Sequence, residues 1–317
     1  MALGEFELIR RFFERPAHRA LLGVGDDCAL LAAPAGGRAL AVTTDMLVSG
    51  RHFLADAPAD TVGHKALAVN LSDLAAMGAT PVGFTLALAL PDVNEPWLAG
   101  FAAGMFALAD GTGCELVGGD TTRGPLTISI TAFGEVPPDR ALRRDRAIAQ
   151  DDLWVSGALG GAALAVREAL AGRMLPVGHP ARIRMERPQP RVSLGLALRP
   201  LAHAAIDVSD GLLADLSHLC DRSGLGAEIN WPWVPVDATL EGVPDAERRR
   251  LALSGGDDYE LLFTAPVSQR HALDALPARL GVPVTRIGSM SARAGLRVTD
   301  GAGRLLEQDQ RGFDHFR

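Results

Sequence analysis

Residues 60–90 read DTVGHKALAVNLSDLAAMGATPVGFTLALAL, and the pattern in this stretch decides what fold the chain can adopt. Asp60 is placed to cap a helix over 60–77, Gly78 suits the left-handed residue that ends it, and the apolar run 82–90 follows as a buried strand. The helix is apolar on nearly every side, so it is expected to be buried on most sides. Working outward, 39–44 forms a strand that ends in Thr43-Thr44-Asp45. Asn94 starts a second helix to about residue 110. Residues 114–117 form a short strand that breaks into Gly118-Gly119-Asp120-Thr121-Thr122, and 126–136 is another strand. Ahead of these, Phe6, Leu8, Ile9, Phe12 and Phe13 recur at helical spacing over 5–15, before Pro16.

A composition shift at 137–152, with Pro137-Pro138 and eight charged residues, interrupts the apolar pattern. It divides the chain into domains 1–138 and 139–317. The second half repeats the alternation: strands at 153–156, 204–208, 227–230, 259–264, 284–287 and 296–298, with helices at 162–171, 212–222, 244–253 and 269–280. The whole reads as an α/β (α+β) chain of two domains, with strand direction left open.

The 317 residues carry 31 Lys+Arg against 38 Asp+Glu, a formal charge of −7, and 48% of them are hydrophobic. That apolar content fills sizeable cores and excludes global disorder. An acidic balance without a Lys/Arg run excludes sequence-independent nucleic-acid binding and docking on an anionic membrane. Three separated cysteines, Cys28, Cys114 and Cys220, make neither a disulfide framework nor a structural zinc site. The start, MALGEFELIRRFFERP, lacks a secretory pattern, and the longest apolar runs are about half the roughly 20 residues of a membrane helix. A cytoplasmic protein is expected.

Chemistry is suggested by where the aspartates fall. Gly25-Asp26-Asp27, Thr43-Thr44-Asp45, Gly118-Gly119-Asp120-Thr121-Thr122, Asp207-Val208-Ser209-Asp210-Gly211 and Gly255-Gly256-Asp257-Asp258 each set acid beside Gly, Ser or Thr at the end of an apolar run or the start of a helix. Hard cations such as Mg²⁺ take oxygen ligands from a few carboxylates, with hydroxyls, water and substrate phosphates completing the shell. The same residues are the ordinary vocabulary of turns and N-caps, so one such segment alone decides nothing. Asp73 differs: inside an apolar helix its carboxylate must be paired, bind metal, or lie with Lys65 and Ser72 on a solvent-facing stripe. Asn70 shares its face at i, i+3. Ser156-Gly157-Ala158-Leu159-Gly160-Gly161, following a strand and opening a helix, offers amides to a phosphate or simply permits tight packing. His52 and Arg144 are weaker phosphate contacts by residue type, and Cys28 has no basic neighbour to make it a nucleophile.

Eight ordered segments then resemble one family. They are Gly23-Val24-Gly25-Asp26-Asp27-Cys28-Ala29, Thr43-Thr44-Asp45, His52-Phe53, the run from Lys65 to Ala79, Gly118 to Thr122, Asp207-Val208-Ser209-Asp210-Gly211-Leu212, Ser254 to Leu261, and Gly312-Phe313-Asp314-His315-Phe316. Together they are similar to the motifs of the thiamine-monophosphate kinases, within the aminoimidazole-ribonucleotide synthetase-like ATP-binding superfamily. The resemblance implies a two-domain fold whose N-terminal domains pair in a homodimer with ATP near the interface. It implies that Asp27, Thr43, Thr44, Asp45, Asp73, Asp120, Asp207 and Asp210 hold several Mg²⁺ ions, with no catalytic residue beyond metal-binding aspartates such as Asp45, Asp73 and Asp120. Gly119, Asp120, Arg144 and Ser209 match ATP contacts, and His52, Asp257 and Phe313 match contacts to thiamine monophosphate. The family often has Glu at the position of Asp257 and Tyr or Trp at that of Phe313, which bears on substrate affinity. Two alternatives stay open: another ATP-using member of the superfamily, such as a selenophosphate synthetase-like enzyme, and a non-catalytic Mg-nucleotide-binding regulator. A metal-dependent phosphohydrolase is a third.

Overall fold

The structure is a computed structural model that describes residues 5–22, 24 and 30–307. Two compact units emerge. One is formed by the described residues up to Leu74 and by Ala79–Asp139; the other by Ala75–Gly78 and the described residues from Arg140 onward. Among the described residues no helix is long and apolar enough to cross a membrane.

The first unit contains α1 (Glu5–Phe12), β1 (Ala20–Leu22), β2 (Leu30–Leu31), β3 (Ala39–Val48), α2 (Ala59–Ala76), β4 (Thr80–Leu90), α3 (Glu95–Thr112), β5 (Glu115–Arg123) and β6 (Thr127–Val136). Its main sheet has the order β3-β6-β4-β5, antiparallel except for the parallel pair β4–β5. Strand β6 alternates buried and half-buried residues without a break, with Ile128, Ile130 and Ala132 on the buried face. That alternation is the mark of a sheet covered on one side. Helix α2 is buried nearly all round, Lys65 and Ser72 included, so the polar stripe is not a solvent-facing one. Asn94 caps α3 by accepting the Trp97 amide at 3.1 Å, and Gly113 closes it in a left-handed conformation.

Two strand ends move relative to the sequence expectation. Thr43-Thr44-Asp45 lies in the middle of β3, which pairs with β6 through Val48. Gly118 to Thr122 continues β5 instead of breaking from it, because Gly119 lets the strand approach β4. A Cβ on Gly119 would fall 1.9 Å from the Leu86 carbonyl oxygen. The ladder hydrogen bonds thereby extend through residues that look like loop formers one at a time.

The second unit contains β7 (Asp152–Ser156), α4 (Gly161–Leu170), α5 (Pro180–Glu186), α6 (Val192–Leu198), β8 (Ala204–Val208), α7 (Leu212–Ser223), β9 (Gly226–Asn230), α8 (Asp245–Ser254), β10 (Glu260–Ala265), α9 (Arg270–Asp274), α10 (Leu276–Leu280), β11 (Val284–Ser291) and β12 (Gly295–Thr299). Its sheet runs β12-β9-β11-β7-β10-β8, with only β12–β9 parallel. Strands β7, β8 and β10 are buried along their whole length. Helices α5 and α6 are short and escaped the periodicity reading. The expected helix over 269–280 is two helices, with Pro277 in the first turn of the second, where its missing N–H costs nothing.

Helices α2 and α3 touch through glycine. A Cβ on Gly104 would lie 1.8 Å from the Asp60 carbonyl oxygen. Gly104→Ala is therefore expected to destabilise the protein by about 1–3 kcal/mol, despite the roughly 1 kcal/mol that Ala gains over Gly in a helix interior. A lowered urea midpoint at unchanged slope is the expected readout, and a raised midpoint would contradict the close contact.

Candidate functional site

In the first unit, strand β3 and helix α2 bring carboxylates together. On β3 the residues facing the buried side are Thr43, Asp45 and Leu47, paired with Ala132, Ile130 and Ile128 of β6. Thr43 donates its hydroxyl to Asp73 Oδ2. The fully buried Asn70 accepts the Asp45 amide at 3.2 Å and donates to the Ala66 carbonyl at 3.1 Å. The i, i+3 pair on α2 thus grips two neighbouring β3 residues. Burial, and then the nearby Asp73 carboxylate, push the Asp45 carboxyl up to about 6. Two carboxylates held close in a poorly solvated place favour binding a proton or a cation.

Thr44 and Asp120 face the other way. Met46, Ser129, Ala87 and Asp120 line up in one row across the four strands, while Asp45, Ile130, Leu86 and Gly119 form the neighbouring row on the opposite face. Thr44 shares the Asp120 face, its hydroxyl 2.8 Å from that of Thr131. Strands β3 and β5 are moreover the two edges of the sheet, three strand spacings or about 14 Å apart. A single sheet therefore divides the expected metal ligands between two edges and two faces. His52, half-buried, accepts the Val48 amide on Nδ1 at 3.0 Å, which assigns the proton of the neutral ring to Nε2. Asp27 and Phe313 lie outside the described residues.

In the second unit, two loops meet. One follows β8: Asp207 is the buried penultimate strand residue, followed by Ser209, Asp210 and Gly211 at the start of α7. The other precedes β10. There Asp257 and Tyr259 adopt positive φ values of 70° and 49°, conformations that non-glycine residues hold only when their surroundings enforce them. The enforcing bonds are visible: the Asp257 amide donates to the Ser209 carbonyl and the Tyr259 amide to the Val208 carbonyl, both at 2.8 Å. The residue matched to substrate is thereby fastened to the residue matched to ATP. Arg144 is exposed on a short 3-10 turn, its carbonyl accepting the Ser223 hydroxyl at 2.7 Å.

The loop 156–161 is no phosphate cradle in this structure, because protein groups already occupy it. Asp258, pushed well up by burial, takes the Gly160 amide on both oxygens at 3.1 and 3.0 Å. Glu260 fills the space beside Gly157, accepts the Ser156 hydroxyl at 2.5 Å and pairs bidentately with Arg191 at 2.6 and 2.5 Å. Residue pattern gives no role to Glu260 or Arg191 and treats Asp258 only as part of the acid segment 255–258, where the structure makes it an internal hydrogen-bond acceptor. A third carboxylate, Asp215 on α7, also escaped notice; burial and then Asp207 and Asp210 push it up to about 8 against the pull of backbone amides. Its signal is an acid set among Leu212, Leu213, Ala214 and Leu216 in the first turns of the helix. Cys114 and Cys220 are raised to about 12 and about 11, chiefly by burial, so neither offers a thiolate. Among the described residues no three His, Cys, Asp or Glu side chains converge on one metal position.

Comparisons with known proteins agree with this architecture. Residues 25–136 match the N-terminal domain, and residues 150–301 the C-terminal domain, of the AIR synthase related proteins. Thiamine-monophosphate kinase of Salmonella typhimurium (strain LT2) is 47% identical over 327 residues, spanning 100% of this chain and 99% of that protein. The enzyme of Escherichia coli K12 is 46% identical over 325 residues, with the same coverage of both chains. Among solved structures, thiamine-monophosphate kinase from Stenotrophomonas maltophilia K279a superposes with a TM-score of 0.86 at 49% identity, covering 94% of this chain and 97% of that one. AaThiL complexed with AMPPCP and TMP gives a TM-score of 0.78 at 30% identity, covering 98% and 96%. Escherichia coli HypE shares the fold, with a TM-score of 0.78 at 24% identity over 98% and 97% of the chains. With near-half identity along its entire length, the chain belongs to the thiamine-monophosphate kinase family.

Proposed function

We propose that this protein transfers the γ-phosphoryl group of ATP to thiamine monophosphate, giving ADP and thiamine diphosphate, in the cytoplasm and as a homodimer. The observation that carries the chemistry is the geometry of Asp45 and Asp73: β3 and α2 bring the two carboxylates close together, with Thr43 donating its hydroxyl to Asp73, an arrangement that a bound cation would neutralise. The oxygen-only donor set of Thr43, Asp45 and Asp73 suits Mg²⁺ in kind. Asp27, Thr44, Asp120, Asp207 and Asp210 are the further ligands that family resemblance supplies. Bound there, Mg²⁺ would neutralise and align the phosphates of two mutually repelling anions.

The chain's own residues do the rest by positioning. The acceptor is a phosphate oxygen already ionised at neutral pH, so no general base is needed. His52 presents a ring whose Nδ1 is fixed by a backbone amide, leaving Nε2 as the protonated nitrogen for an anionic substrate group. Asp257 is held in its left-handed conformation by the Ser209 carbonyl, so substrate and nucleotide contacts share one scaffold. With an acceptor oxygen that is itself a sufficient nucleophile, transfer is direct and in line and uses no covalent carrier. Brief incubation with γ-³²P-ATP is expected to leave no stable label on the protein, and stoichiometric labelling would overturn direct transfer.

An exposed face of the sheet supports the homodimer. On the face opposite α2, Leu40, Val42 and Met46 are 45%, 57% and 58% exposed, an apolar stripe on an edge strand that a monomer would leave in water. A second copy whose sheet packs on this face, with its β5 edge beside this β3 edge, would cover that stripe. It would also bring Asp120 of the partner subunit beside Thr44, on the face the two share and next to Asp45 along the strand, uniting ligands that a single sheet holds about 14 Å apart.

The assay is thiamine diphosphate by chromatography after incubation with ATP, MgCl₂ and thiamine monophosphate. Asp45→Asn and Asp120→Asn are each expected to lower turnover at least about 10²-fold. Mixed and reassociated, the two variants are expected to recover up to about a quarter of wild-type activity, since half the dimers carry one intact site of two. No product from the wild type would defeat the function, and no recovery on mixing would defeat the shared site. The Asp45 shift adds a pH test. A carboxyl raised from 3.8 to about 6 on folding binds its proton more tightly when folded, so stability is lost as pH rises from about 4 to about 6. In metal-free protein, Asp45→Asn is expected to flatten the fall of melting temperature over that window, and to shrink the stabilisation by MgCl₂ at pH 7.5.

A further inference from the structure

Asp215 is among the least exposed acids of the second unit, at 3%. One oxygen, Oδ2, accepts three consecutive backbone amides: Ser209 at 3.0 Å, Asp210 at 3.1 Å and Gly211 at 3.1 Å. The return bond, from the Asp215 amide to the Gly211 carbonyl at 3.0 Å, closes the loop onto the first turn of α7. Successive amides of this kind form the concavity in which proteins commonly seat a phosphate oxygen. Here an internal carboxylate occupies it. The amides that open α7 are therefore committed, and the loop meets a nucleotide through side chains, Ser209 and Asp210.

We infer that Asp215 is a positioning residue for nucleotide binding: its oxygen holds the Ser209–Gly211 backbone in the conformation that presents Ser209 and Asp210, and through the Ser209 carbonyl it also supports Asp257. This rests on the roles proposed above for Ser209 and Asp210. What matters is the position of the acceptor oxygen more than the charge it carries. Three donors, that of Gly211 buried and those of Ser209 and Asp210 half-buried, would lose their one shared acceptor, and such groups rearrange to recover a partner.

The two conservative variants separate position from charge. Asp215→Asn keeps an acceptor oxygen at the same reach and removes the ionisable carboxyl, whereas Asp215→Glu keeps the carboxyl and displaces the oxygen by one methylene. Titration calorimetry with ATP and MgCl₂, which needs no turnover, is expected to show Asp215→Glu weakened about tenfold or more and Asp215→Asn by no more than about threefold. The KM for thiamine monophosphate is expected to rise less than that for ATP in Asp215→Glu. Equal losses in both variants, or wild-type affinity in Asp215→Glu, would overturn the inference. Amide hydrogen exchange of the wild-type chain without ligand gives a reading independent of any variant's folding. The Ser209, Asp210 and Gly211 amides are expected to be protected as strongly as the interior of α7, and fast exchange there would overturn it equally. A wild type that makes no thiamine diphosphate yet shows this protection would defeat the proposed function and leave the loop assignment standing.

Discussion

Burial, and then a neighbouring carboxylate, raise the proton affinity of Asp45, and the strand and helix around it are arranged to bear that cost. Asp45 and Asp73 are brought together by a strand and a helix that cannot be separated without exposing one of the most thoroughly buried helices in the chain. Thr43 donates its hydroxyl to the Asp73 carboxylate, and Asn70 accepts the backbone amide of Asp45, which fixes the strand that carries it. Helix α2 in turn lies flush on α3 because Gly104 admits the contact. Repulsion that would weaken an ordinary core is useful where a divalent cation is to be bound, since the same proximity that penalises two anions strengthens their joint attraction for a dication. The net charge of −7 takes on a different meaning in that light: acidity that repels polymeric phosphate becomes, with metal present, a receptor for small phosphates.

The second unit solves a positioning problem with few mobile parts. Strands β8 and β10 are paired, and the loops that leave them are tied by the Asp257–Ser209 and Tyr259–Val208 bonds. Buried carboxylates then act as internal struts. Asp258 caps the start of α4, Glu260 links Ser156 to Arg191, and Asp215 gathers the amides that open α7. Strained φ values at Asp257 and Tyr259 are tolerable because both residues are bonded to the neighbouring strand.

Much of this was legible in the sequence, and the failures have identifiable causes. The helix over 60–77, its Gly78 end and the strand after it are present within one or two residues, because a long apolar helix with a glycine stop leaves little choice. The Asn94 cap is there for the same reason. The strand end expected at Thr43 to Asp45 lies mid-strand, and the break expected at Gly118 to Thr122 is strand instead, since pairing with β6 and β4 outweighs the local preference of Gly, Asp and Thr for turns. Orientation was illegible: that Asp45 and Asp120 point to opposite faces depends on register, which one sequence does not reveal. The internal roles of Asp215, Asp258 and Glu260 were overlooked because their partners are backbone amides or residues up to 104 positions away.

The central claim is that the carboxylates of β3 and α2 receive the cations that make phosphoryl transfer possible. Crystals grown with ATP, thiamine monophosphate and Mn²⁺ in place of Mg²⁺ would locate those cations by anomalous scattering. The account requires a peak within coordination distance of Asp45 and Asp73, with Asp120 of the partner subunit completing the cluster beside Asp45. Peaks bound to the nucleotide alone, with Asp45 and Asp73 uncoordinated, would contradict it.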